Sequence, residues 1–254
     1  MSWSVFIINM AKNTTRMDHA AAQLEQLDIA FERFEAVDGR ALSAEALTRA
    51  YDPAANLKRA RHAMVGPEIG CYLSHLALWE KIAAGDAAGG IILEDDFTCD
   101  ADFGTVLEAV AQHRGDWDIL KLFSARKGQK LLDPRPLTAQ RQIAVPYKVP
   151  NTTLGYAIRR ETAARLAAQT LPVSRPIDED HKHFWEAGLR IALVSPSPLA
   201  FGEQSAETGT ITAARRRKVS GPPSAVLRQA WRSLRFRVSY LLHLHWHRFM
   251  RHLR

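Results

Sequence analysis

The sequence predicts an α/β fold, a β-sheet core flanked by helices, followed by a basic amphipathic helix at the C-terminal end. Three observations carry this. Short apolar runs rich in β-branched residues, such as SVFIIN (4–9) and RIALVS, alternate along the chain with segments of helical period, which is the pattern of a helix-flanked sheet. The 254 residues, 46% of them hydrophobic, are enough for a sizeable core, in one large domain or two small ones. Charge is unevenly placed: the last acidic residue is Glu207, and Thr208 to Arg254 holds eleven Lys or Arg and no Asp or Glu. The remainder carries 23 basic against 27 acidic residues, so a mildly acidic body (1–207) precedes a strongly basic tail (208–254).

The elements follow in order. SVFIIN reads as a buried strand. Met17, Ala20, Ala21, Leu24 and Leu27 recur at helical spacing, with Thr14 or Thr15 as cap. FERFEAV (31–37) alternates like a strand and closes at Asp38-Gly39. Residues 40–65 are helical patches broken by Pro53. PEIGCYLSHLALWEKIAAG (67–85) is the clearest helix, with Pro67 and Glu68 in its first turn and Gly85 to close it. GGIILEDD is a strand, and Asp100 caps a helix carrying Phe103, Val106, Leu107 and Val110. WDILKLF (117–123) is a strand, 124–140 a loop, and QIAVPYKV and TTLGYAIRR are strands, Pro146 marking an edge or bulge. ETAARLAAQ and PIDEDHKHFWEAG are helices, RIALVSPS is the last strand and SPLAFGEQSAETGT a loop.

The two cysteines, Cys71 and Cys99, form neither a metal-binding nor a disulfide pattern, which favours a reducing compartment. The opening MSWSVFIINM lacks a signal peptide's basic n-region, and no apolar run is long enough to span a bilayer. A cytoplasmic protein is expected.

Three consecutive carboxylates, Glu94, Asp95 and Asp96, stand directly behind an apolar strand. Ligands of open α/β sheets bind beyond the carboxyl ends of strands. Strand alternation would point Glu94 and Asp96 one way and Asp95 the other. Two converging carboxylates make half a site for Mg²⁺ or Mn²⁺, which takes further oxygens from substrate phosphates. The competing reading is that Asp95 and Asp96 merely open a loop and cap a helix.

Four separated segments resemble glycosyltransferase family 25, the lipooligosaccharide galactosyltransferase type related to collagen galactosyltransferases. They are VFIINMAKNTTRMDHAAAQLEQLDIAFERFEAVDG; PEIGCYLSHLALWEKI; IILEDD; and WDILKL followed by TTLGYAIRRETAARL. The order matches, and the likeness covers most of residues 4–195. It implies a GT-A-like, Rossmann-related mixed sheet and an inverting, metal-assisted transfer from a UDP-sugar donor, often UDP-galactose. The implied acceptor is a lipopolysaccharide core or another cell-envelope glycan.

On that resemblance Glu94 and Asp96 are metal ligands, and Asp95 binds metal or donor sugar. Asp178 and Asp180, in PIDEDHKH, are candidate bases for the acceptor hydroxyl. The family's "VD" element favours Asp178, although DEDHKH is more charged than the usual pattern, which leaves Asp178 open as a metal or acceptor ligand. Candidate donor-side residues are Asn9 and Arg16 at the first strand–helix junction, Asp38 and Gly39, Ser74 and His75, and Thr153 and Gly155. Each has a plainer reading: Arg16 a solvated helix residue, Asp38-Gly39 an ordinary turn, His75 a packing histidine, Gly155 a sheet residue.

In the tail, Leu227, Trp231, Leu234, Val238, Leu241, Leu242, Phe249 and Leu253 lie on or near one helix face, with Arg228, Arg232, Arg235, Arg248 and Arg251 on the others. That is the composition of an interfacial membrane anchor, and the lipid-linked acceptor that the resemblance implies would put it on the inner leaflet. Packing on the body or in a homo-oligomer is the alternative. Nucleic acid is disfavoured, because no binding motif accompanies the charge and the acidic body opposes it. From another class, the chain reads as a catalytically idle module that binds membrane or glycan through its tail; the intact triplet favours the enzyme.

Overall fold

The structure, a computed structural model, describes residues 3–126, 128–203 and 223–251. The strands are β1 (Ser4–Asn9), β2 (Glu32–Glu35), β3 (Gly89–Glu94), β4 (Phe97–Cys99), β5 (Ile119–Lys121), β6 (Leu131–Pro136), β7 (Gln142–Pro146), β8 (Gly155–Arg159), β9 (Ile191–Ser195) and β10 (Leu199–Phe201). The helices are α1 (Thr14–Gln26), α2 (Ala44–Ala50), α3 (Pro53–Arg59), α4 (Gly66–Ala84), α5 (Phe103–Gln112), α6 (Arg160–Gln169), α7 (Ile177–Lys182) and α8 (Pro223–Arg251).

Eight strands form one mixed sheet in the order β2-β1-β3-β8-β5-β9-β7-β6, and β4 pairs with β10 beside it. β1 is parallel to β2 and β3, whereas β8 runs antiparallel between β3 and β5. Side-chain alternation sorts the core into two layers. Val5, Ile7, Ile91, Leu93 and Leu120 pack beneath Met17, Leu24, Phe103 and Val106 of α1 and α5. Phe6, Ile8, Ile92, Ile119, Tyr156 and Ile158 pack beneath Leu76, Trp79 and Ile82 of α4 and Ala163 and Leu166 of α6. The expected helix-flanked sheet is therefore what the chain forms.

α4 starts where expected. Glu68 reaches back to accept the Val65 N–H at 2.9 Å, satisfying one of the unpaired donors of the helix start. Other caps differ from expectation. α1 begins at Thr14 after Asn13, and neither threonine caps it. Asp100 and Asp102 do not cap α5 through their side chains. Both instead hold buried Arg141, whose Nη2 lies 2.7 Å from Asp100 and whose Nε lies 2.7 Å from Asp102. The stretch expected as a loop contains β6, an exposed edge strand paired with β7. The helix expected over PIDEDHKHFWEAG ends at Lys182.

α8 is the single long tail helix expected, and it lies against the body with its polar and aromatic side. Arg232 donates to the carbonyls of Asn56 (2.9 Å) and Ala60 (2.8 Å), and Arg235 to that of Leu57 (3.2 Å), so both cations sit at the carbonyl end of α3. Arg248 donates to Pro146 and Tyr147, and Trp185 stacks on His243 and His247. Three of the arginines expected to meet an anionic surface, Arg232, Arg235 and Arg248, are thus engaged by the body. The 207/208 boundary, the 215–218 basic cluster and Leu253 lie outside the described residues.

Candidate active site

The parallel strands β1, β3 and β5 end on one rim of the sheet, at Asn9, Glu94 and Lys121. Because β8 runs the other way, its entry segment, Thr152–Thr153, reaches the same rim. The acidic triplet therefore stands at the carboxyl edge where sheets of this class bind ligands.

The strand ends at Glu94, and the chain turns at Asp95–Asp96 before β4. Strand alternation accordingly stops one residue short of the expected Glu94/Asp96 pairing. Glu94, on the face of Ile92, points toward α4 and accepts the Thr153 hydroxyl. Asp95 is buried; it accepts from Asn9 Nδ2 at 2.7 Å and pairs with Arg16 at 2.6 Å. Asp96 pairs with the same guanidinium at 3.0 Å through Oδ2. The positive charge that the triplet demands is Arg16, delivered from the first turn of α1.

One guanidinium does not balance three carboxylates. Burial, reinforced by the charge of Glu94, pushes the Asp96 carboxyl up to about 7, despite Arg16. Burial also raises Asp95 against the pull of Arg16 and Asn9. Burial opposes ionisation of Glu94 as well, but His75, Thr153 and Lys121 together outweigh it and hold that carboxyl below its usual range.

Behind Glu94 lies a buried polar chain. Trp79 Nε1 donates to the Tyr156 hydroxyl at 2.9 Å, which lies 2.9 Å from His75 Nδ1. With Nδ1 accepting the tyrosine proton, Nε2 carries the ring proton 3.6 Å from Glu94 Oε1, beyond hydrogen-bond distance. Lys121, fully buried, donates to the Thr152 carbonyl at 2.9 Å and lies 2.7 Å from His181 Nδ1. Burial drives Lys121 down to about 7, partly countered by Asp178 and Glu94; burial and then Lys121 push His181 well below its ordinary value. Asp178 thus shares the charge environment of Glu94 and Lys121.

The other expected residues divide. Ser74 accepts the Val37 N–H at 2.9 Å and donates to the Gly70 carbonyl, fastening the loop after β2 onto α4. A Cβ on Gly39 would sit 1.8 Å from the Gly66 oxygen, so this glycine is required by close packing on α4. Asp38 pairs with Arg40 at the surface. A Cβ on Gly155 would meet Leu199 Cδ1 at 2.3 Å, so sheet packing explains that glycine too. Asp180 accepts Tyr72 Oη at 2.6 Å and pairs with buried Arg175, which anchors it in a structural ion cluster. Sequence reasoning missed Lys121 and His181. The signal for the first was a lone lysine inside the apolar WDILKLF.

Two sets of side chains suit a cation. Cys71, His75 and Glu94 bring ligand atoms within 4.8 Å of one another. Burial and nearby Glu94 hold the Cys71 thiol far above its usual value, and sulfur is a poor ligand for hard cations. The Glu94–Asp95–Asp96 turn offers oxygens only. Asp96 Oδ1 is buried without a hydrogen-bond partner, the condition of an acceptor whose ligand is a cation. An oxygen-only donor set is of the type that Mn²⁺ or Mg²⁺ prefers, although among the described residues the set whose ligand atoms all converge is Cys71, His75 and Glu94 and not the triplet.

A family model described as "Glycosyltransferase family 25 (LPS biosynthesis protein)" matches residues 3–180. "Inactive glycosyltransferase 25 family member 3" of Homo sapiens is 29% identical over 69% of this chain and 30% of its own length. "Procollagen galactosyltransferase 1" of Danio rerio is 28% identical over 69% of this chain and 30% of its own. The chain thus spans about 30% of the length of these relatives. A solved mutant Drosophila beta-1,4-galactosyltransferase 7, in complex with manganese, UDP-Gal and xylobiose, aligns with a TM-score of 0.38 at 10% identity. It covers 87% of this chain and 82% of its own, a likeness too distant to carry a functional argument.

Proposed function

The chain belongs to glycosyltransferase family 25, and from that membership we propose that it is an active, inverting, metal-dependent hexosyltransferase with a GT-A-like core. Its donor is a UDP-sugar, UDP-galactose first among them, and its acceptor a lipopolysaccharide, lipooligosaccharide or other cell-envelope glycan. The observation that carries the reading is the Glu94–Asp95–Asp96 turn, with its buried, unpartnered Asp96 Oδ1.

Glu94 and Asp96 would hold Mn²⁺ or Mg²⁺, which supplies Lewis-acid stabilisation of the leaving diphosphate's charge. Thr153 orients Glu94, and His75 and Thr153 both favour its ionised form. Arg16 and Asn9 fix Asp95, and Arg16 offers a guanidinium where the diphosphate docks. Asp178 takes the proton of the acceptor hydroxyl, beside buried Lys121, whose charge it favours.

The relative named inactive gives weight to a second reading, an idle module that keeps the fold without the chemistry. One experiment separates the two. The protein is incubated with radiolabelled UDP-galactose, Mn²⁺ and a panel of lipid-linked oligosaccharides, and both UDP release and labelled glycolipid are measured. Transfer that stops with chelator and with Asp178→Asn supports the enzyme. No UDP release with any acceptor or donor supports the idle module.

A further inference from the structure

α8 has two unlike sides. One, carrying Gln229, Arg232, Tyr240, Leu244 and Arg248, is spent on the body. The other presents Leu227, Trp231, Leu234, Val238, Leu242 and Trp246 at 48–66% exposure, spaced three or four residues apart so that they form one continuous stripe. Among the described residues most of the exposed large hydrophobic side chains sit on this helix. Soluble monomers rarely expose such a contiguous patch. The contacts of Gln229, Arg232, Tyr240, Leu244 and Arg248 lie away from the stripe, and those of Arg235 and His245 at its margin leave these six side chains exposed.

Charge identifies the occupant. No Asp or Glu occurs from 208 to 254, and eleven Lys or Arg do. Arg228 and Arg237 are exposed on α8 itself. Pairing with a second copy would set these cations against their own kind. An anionic lipid surface complements them, with tryptophans at the depth where indole rings settle. No described helix is long and apolar enough to cross a membrane. We propose that the outer face of α8 is an interfacial membrane-binding surface, which lies flat on anionic lipid and holds the body against the bilayer.

The test is flotation of the full chain with vesicles of phosphatidylcholine alone or with one-third phosphatidylglycerol, at low and high salt, alongside analytical ultracentrifugation without lipid. The variants are Trp231→Glu and Leu242→Glu, whose side chains contact solvent and leave the body-facing side intact. The expected result is binding to anionic vesicles only, weakened by salt, blue-shifted in tryptophan emission and abolished in both variants. Each arginine at an anionic surface is worth roughly fivefold in partitioning. Equal binding to neutral vesicles overturns the charge argument. A dimer in solution that the variants dissociate, without lipid binding, assigns the face to a second copy and overturns the proposal, as does a monomer that floats with neither lipid.

Discussion

Asp178 and Asp180 sit two residues apart on one short helix and have different partners. Asp180 neutralises Arg175, a buried guanidinium that it shares with Glu186. Removing one partner of a buried charge is costly because the other is left desolvated. Asp180→Asn is therefore expected to lower unfolding stability by about 1–3 kcal/mol, read from the urea midpoint. Asp178→Asn should cut turnover by roughly 10²–10⁴-fold, the usual contribution of a general base, a far larger loss of turnover than in Asp180→Asn. Equal losses of turnover in the two variants, with stability intact, would reopen the assignment. At this scale the sequence nominated both acids and, through the family's VD element, favoured Asp178; the anchoring of Asp180 was not legible, because Arg175 and Tyr72 are brought to it by tertiary structure. The same holds for Arg16. Its place at a strand–helix junction was legible, yet its carboxylate partners are far away in sequence. Lys121 was hidden by the apolar run that buries it.

Among elements, those that bury a full face were the legible ones. β1 and α4 fall within a residue of expectation, because apolar periodicity and end signals agree there. β6 was read as a loop because it is an edge strand with mostly exposed residues and Asp133 at φ 48, so it carries no hydrophobic pattern. β4 and β10 are three residues each and gain definition only by pairing with each other. α7 stops early because Phe184 and Trp185 turn to pack under α8, a contact with no local signature. The junction between the β2 loop and α4 yields a ranked prediction. Gly39→Ala places a methyl against backbone atoms that cannot swing aside, whereas Gly155→Ala meets the ends of leucine side chains. Overpacking should cost about 3 kcal/mol in the first case and about 1 kcal/mol in the second. Urea denaturation of the two variants checks the order, and a milder effect at Gly39 would contradict the packing described.

Across the whole molecule, an ion cluster ties distant segments together. Arg59 at the end of α3, Arg175 before α7 and Asp180 within it meet at Glu186 and its neighbours. Burial disfavours the Glu186 carboxylate, but Arg175 and Arg59 outweigh it and lower its pKa from 4.5 to about 2. A carboxyl depressed on folding contributes stability above its unfolded pKa and loses that contribution as pH falls toward its folded pKa. The stability difference between the wild type and Glu186→Gln should accordingly be constant above pH 5 and shrink between 4.5 and 2. Urea midpoints at pH 6, 4 and 3 follow this directly; a difference independent of pH would show that the cluster does not hold Glu186 as described.

The same arrangement of charges underlies the functional account, which places a divalent cation and a nucleotide-sugar on the turn that ends β3. Its most direct test is calorimetric titration of UDP-galactose into the wild type and Asp96→Asn, each with Mn²⁺ and with chelator. Binding that needs the cation in the wild type and disappears in the variant, with unfolding unchanged, is the predicted result. Binding of equal affinity in all four titrations would contradict it.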